Sequence, residues 1–161
     1  MPVGNLDEII VDSVHEVFET LIFLLPEEQS VQESEQTEFS GEVIASLQVT
    51  GDIDGIVAMV CSRDVAGQLT RNMLGLEDPP EDMSEIADCV GEIVNMITGN
   101  IKTRCIESGV SFKLSIPTVV WGREMVLSLQ EEVHGFRVPF LVEGEEMYVA
   151  FLRKSDPGIK A

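Results

Sequence analysis

Asp88-Cys-Val-Gly-Glu92-Ile-Val-Asn95-Met-Ile-Thr-Gly99 lies inside a strongly helical run, and its periodicity separates two faces. At about 100° per residue, Ile86, Val90, Ile93, Val94, Ile97, Ile101 and Cys105 fall in a stripe about 120° wide, the width of a core-facing helix. Asp88, Glu92, Asn95 and Gly99 fall in a band about 60° wide, roughly opposite that stripe. Two acids, an amide and a glycine therefore share one solvent-facing ridge. Outer helix faces are ordinarily no more than solvated polar residues. Gly99 argues for more. A glycine within a helix costs about 1 kcal/mol relative to alanine, and this one stands a turn beyond Asn95, where a missing side chain lets another backbone approach closely. The ridge reads as a docking surface.

Outward from this helix the chain reads as follows. Asp82-x-x-Glu85 has the spacing of a capping box that opens the motif helix, which runs to about Ser108 and stops at Gly109. Before it, Ser62 caps a helix through Leu74 that Gly75 ends, and Asp78-Pro79-Pro80 is a break. Glu42–Val49 and Ile56–Ser62 are β-rich and joined by a turn at Gly51-Asp-Ile-Asp-Gly55, which predicts a hairpin. The first helix starts at Asn5 or Asp7, with apolar positions Leu6, Ile9, Ile10, Val14, Val17, Leu21 and Leu25, and ends before Pro26; a polar loop, Glu27 to Thr37, follows. After Gly109, five strands are expected: Phe112–Ile116, Thr118–Trp121, Met125–Leu129, Val133–Phe140 and Met147–Arg153. The order predicts an α+β fold, an antiparallel-rich sheet with packed helices, in one domain over residues 1–161.

Composition excludes several classes of function. The net charge is −19, from 29 acidic against 10 basic residues, so neither nucleic acid nor an anionic membrane surface is an expected partner. Met1-Pro-Val-Gly lacks a basic leader, and the apolar run Leu21–Leu25 is far shorter than the roughly 20 residues a spanning helix needs. Cys61, Cys89 and Cys105 form no Cys-x-x-Cys pair and suit reduced thiols in the cytoplasm. His15 and His134 are the only histidines, and no metal-ligand cluster, nucleophile context or phosphate-cradling loop accompanies them. Cys89 and Cys105 lie beside or within the core stripe and read as inert thiols; Met73, Met83 and Met96 read as helix packing.

The series Asp88-x3-Glu92-x2-Asn95-x3-Gly99 resembles the signature of the CheC/CheX/FliY family of phosphatases, which act on phosphorylated CheY-type receiver domains, and within it most closely the CheX members. The resemblance extends over roughly residues 5–153, through Val17-Phe-Glu-Thr20, Phe39-Ser-Gly41, Gly51–Gly55, the Ser62-to-Leu74 helix and the Ile116-Pro117 strand break. It implies a CheC-like fold, a homodimer joined through sheet edges, and a substrate that brings its own acyl phosphate, Mg²⁺ and lysine. The protein then needs no cofactor or metal of its own. By the same resemblance Asn95 orients the in-line water, and its amide donates and accepts without placing charge beside the phosphoryl oxygens. Glu92 pairs with the receiver lysine. Asp88 either contacts the receiver or supports the helix face. Because a receiver's phosphorylation pocket is itself acidic, attraction must come from local complementarity rather than from net charge.

A weak internal duplication accompanies the motif. Asp12-x3-Glu16-x2-Glu19 repeats the spacing, with Glu19 where the amide would be and Phe23 where the glycine would be. A carboxylate repels a phosphoryl group and a phenyl ring blocks close approach, so this first ridge reads as inactive and available for burial in a subunit contact. The competing function is a non-catalytic dimeric adaptor that binds receiver domains or the flagellar switch through the same fold.

Overall fold

Among the described residues, three α-helices cover one face of an antiparallel sheet. The computed structural model describes residues 5–155; the Met1-Pro-Val-Gly start read above lies outside the described residues. Helix α1 spans Leu6–Val17, α2 Arg63–Leu74 and α3 Met83–Glu107. The caps explain the limits of α2. Ser62 Oγ accepts the Val65 N–H at 3.1 Å, and Gly75 closes the helix in the left-handed region at φ +67°. At the start of α3, Asp82 is the N-cap, but its carboxylate accepts from the Ser84 N–H and hydroxyl (2.9 and 2.8 Å), not from Glu85 as a capping box requires. All seven residues of the expected α3 stripe are buried.

The strands are β1 (Glu27–Glu28), β2 (Gln32–Ser34), β3 (Glu38–Gly51), β4 (Gly55–Cys61), β5 (Phe112–Leu114), β6 (Thr118–Ser128), β7 (Val133–Val142) and β8 (Glu145–Lys154). They pair in the order β1-β7-β8-β4-β3-β5, with β2 also on β7 and β6 also on β3, and every pairing is antiparallel. Alternate residues of β3 and β4 (Val43, Ala45, Leu47, Val57, Met59) meet the helices in the main core. The opposite face forms a second core, in which Phe39, Ile44, Ile56, Val60 and Leu152 pack with Met125, Leu127 and Leu129. A register shift between Gly41 and Val43 interrupts the β3–β6 ladder. All seven residues of β4 are buried, as a strand covered on both sides must be.

Three further expectations need correction. The first helix does not carry its stripe to Leu21 and Leu25. After α1 the chain makes a π turn, Phe18–Ile22, whose wider winding brings Phe18 and Ile22 into the core and leaves Leu21 and Leu25 exposed. The helix ends at Phe23, which is left-handed at φ +59°. The supposed loop Glu27–Thr37 contains β1 and β2; these polar segments are strands because their backbones pair with β7, from Glu27↔Leu141 to Ser34↔Gly135. Finally, Thr118–Trp121 and Met125–Leu129 belong to one strand, β6, that continues through Gly122.

Candidate functional site

The ridge stands on α3 as the periodicity requires, because a helix whose stripe is buried must present the opposite side outward. Asp88 and Glu92 are exposed, and Asn95 and Gly99 half-buried. The side chains of Asp88, Glu92 and Asn95 make no hydrogen bond or ion pair with any described residue. An amide and a carboxylate one turn apart are thus unengaged and available to an incoming group. At Gly99 a Cβ would meet nothing within 4 Å. The fold itself gives no packing reason for a glycine there.

Gly91 is different. Its position, on the flank of the ridge, would put a Cβ 3.3 Å from Val119 Cγ2 and 3.9 Å from Pro117, so its bareness lets α3 lie against β6. Beyond that contact a shallow groove opens. Asp88, Gly91 and Glu92 line one side and Pro117, Val119 and Trp121 the other. Sequence reasoning missed this wall. The available signals were a second glycine inside the helix and the single tryptophan of the chain.

The acids of the first ridge have another use. Arg104 of α3 reaches across to α1, where its guanidinium donates to Glu16 Oε2 at 3.1 Å and lies 4.0 Å from Asp12. Glu19 is exposed in the π turn, and Phe23 is 72% exposed. The two ridges therefore differ in setting as well as in sequence: one is free, the other clasped to the neighbouring helix.

Cys61, Cys89 and Cys105 are buried, the last two as the α3 stripe implied. Burial pushes the Cys61 thiol up to about 12 and raises Cys89 and Cys105 as well; at Cys89 the Thr70 hydroxyl opposes the shift and the Glu92 charge adds to it. The Cys89 thiol donates to Met73 Sδ at 3.5 Å, which holds it between helices. Such thiols are poor nucleophiles. Among the described residues no group of three or more His, Cys, Asp or Glu side chains could hold a metal ion. No helix among them is long and apolar enough to cross a membrane.

A sequence model of the family described as Chemotaxis phosphatase CheX matches residues 43–141, from β3 through α3 and into β7. The chain belongs to the CheX family. Several solved structures share the CheX fold. CheX from Desulfovibrio desulfuricans matches with a TM-score of 0.82 at 24% identity, over 92% of this chain and 99% of that one. A CheC-like protein from a Shewanella species gives 0.84 at 20% identity, over 96% and 100%. A chain of the CheX–CheY–BeF3–Mg²⁺ complex from Borrelia burgdorferi gives 0.77 at 16% identity, over 94% and 99%. At these identities the likeness is one of fold. No curated protein matches the sequence.

Proposed function

We propose that this CheX-family protein hydrolyses the aspartyl phosphate of a CheY-type receiver, with Asn95 orienting the attacking water and Glu92 pairing with the receiver's active-site lysine. One observation carries the reading: an amide and a carboxylate, unengaged by the rest of the fold, stand one turn apart on the exposed face of a helix within the family match. The complex of another CheX with CheY and a beryllofluoride–Mg²⁺ group supports the choice of partner.

The chemistry asks little of this chain. Water oxygen attacks phosphorus, the acyl P–O bond breaks, and inorganic phosphate leaves the receiver's aspartate free. Mg²⁺ and lysine, both supplied by the receiver, carry the charge on the phosphoryl oxygens. Catalysis of such a transfer consists mainly of positioning. A neutral amide serves, since it accepts from the water and donates without adding negative charge. Gly99, with open space above it, lets the receiver's backbone settle against the helix one turn beyond Asn95. No metal or cofactor of the protein's own enters this scheme, which operates in the cytoplasm. A homodimer joined through sheet edges belongs to the same reading, because among the described residues β6 pairs with β3 alone and leaves its outer edge open.

The test is loss of phosphate from a purified, phosphorylated CheY-type receiver in Mg²⁺, with wild type and Asn95→Ala compared. Acceleration by wild type alone supports the assignment. Equal acceleration by both moves the site away from Asn95. Binding without acceleration of any receiver supports an adaptor instead.

A further inference from the structure

We propose that the Pro117–Val119–Trp121 wall is the second half of the receiver-docking surface, with Trp121 its apolar anchor and Asp88 its charged one; this rests on the phosphatase reading above. The argument starts from β6. Val119 and Trp121 are two residues apart and so share a face, the one turned to α3. Val119 is half-buried against the main core, whereas Trp121 remains 43% exposed, and no ring among the described residues stacks on it. A large side chain able to bury much apolar area is thus left partly in water, at the rim of a groove whose other side carries Asp88 and Glu92. Tryptophan is enriched among the residues that anchor protein interfaces, where the indole is buried on association.

Position selects the occupant. The groove is continuous with the ridge: Glu92 belongs to both, and Asn95 lies on the next turn of the helix. A receiver that brings its phosphoryl group to Asn95 and its lysine to Glu92 must lay neighbouring surface over Asp88 and Trp121. Charge narrows the choice. Among the described residues no cation is bound to Asp88 or Glu92, in a protein of net charge −19. The matching receiver segment therefore carries a second basic side chain for Asp88 with an apolar neighbour for the indole. This supplies the local complementarity that two acidic partners lack at long range. Asp88 becomes a docking residue, and Gly91 a positioning residue that holds the wall at contact distance from α3.

Steady-state dephosphorylation of a phosphorylated CheY-type receiver in Mg²⁺ would be measured for wild type, Trp121→Ala, Trp121→Phe and Asn95→Ala. Loss of the indole is expected to raise KM about tenfold with kcat within about twofold, and Trp121→Phe to recover much of that loss. Asn95→Ala is expected to lose kcat instead. Because Trp121 is the only tryptophan, its fluorescence reports docking directly with a tryptophan-free receiver in its beryllofluoride form. The shift should persist in Asn95→Ala. An unchanged KM in Trp121→Ala, or a silent indole during turnover, would overturn the proposal. So would a KM effect that coincides with conversion of dimer to monomer by light scattering, since the wall would then serve a second copy. Failure of wild type to bind or dephosphorylate any receiver is a separate result; it would refute the phosphatase reading, and the named occupant with it.

Discussion

Substitution of Gly99 tests whether this glycine serves docking or the fold. It is an interior residue of the 25-residue helix α3, where alanine is preferred to glycine by about 1 kcal/mol. That preference is ordinarily masked when a neighbour fills the space over the glycine, but at Gly99 a Cβ would have open space for 4 Å. Gly99→Ala should therefore stabilise the fold by about 0.5–1 kcal/mol, which for a domain of this size raises Tm by roughly 1–4 °C. Gly99→Leu should keep most of that gain, since leucine is nearly as good a helix former. Association should move the other way. The leucine side chain occupies the space a docked receiver would use, and receiver affinity should fall at least about tenfold, or roughly 1.4 kcal/mol. Thermal unfolding and titration with a beryllofluoride-activated receiver would be run on the same preparations. A lower Tm for Gly99→Ala would mean that the fold itself needs this glycine. Undiminished association of a folded Gly99→Leu variant would refute close approach at the ridge.

Asn95→Asp should lose nearly all activity at unchanged stability, because on the proposed mechanism its charge would face the phosphoryl oxygens; a full phosphate-release rate would dismiss the water-orienting role. Glu92→Ala should raise the Kd for the activated receiver while leaving the urea midpoint in place, and a change in midpoint alone would make Glu92 a structural residue. Arg104→Ala breaks partly exposed pairs with Glu16 and Asp12, so it should cost less than about 1 kcal/mol in urea unfolding, and less again at high salt. Burial raises the Cys61 thiol from 9.0 to about 12, so the unfolded chain ionises first. The stability this contributes is complete below pH 9.0 and declines as pH rises toward about 12. The other two cysteines and Tyr148 shift in the same direction. Unfolding midpoints should fall across that window, less steeply in Cys61→Ala, and equal slopes would contradict a buried neutral thiol.

The ridge and the α3 stripe were legible because both lie on one helix, whose phase is kept by its own hydrogen bonds. The limits of α2 were legible for the same local reason, with Ser62 and Gly75 acting within a turn of themselves. The π turn was not. Beyond Val17, either Leu21-Leu25 or Phe18-Ile22 continues an apolar stripe, and the choice falls to whichever set the sheet and neighbouring helices can bury. Strands β1 and β2 escaped notice because their Glu, Gln and Ser residues have no strand-like pattern, and their pairing with β7 lies about a hundred residues away. Continuity of β6 through Gly122 depends likewise on the partner strand β3.

Local periodicity was thus enough to place Asp88, Glu92, Asn95 and Gly99 on one outward face of α3, while the role proposed for them in positioning a water came from the family resemblance. Tertiary structure alone decided what surrounds them. It set Trp121 across from Asp88, drew Asp12 and Glu16 to Arg104, and built the second core on the far face of the sheet. The reason is physical: a helix sets its own phase residue by residue, whereas the wall of a groove depends on strand register and on how closely two elements pack, which no single segment encodes.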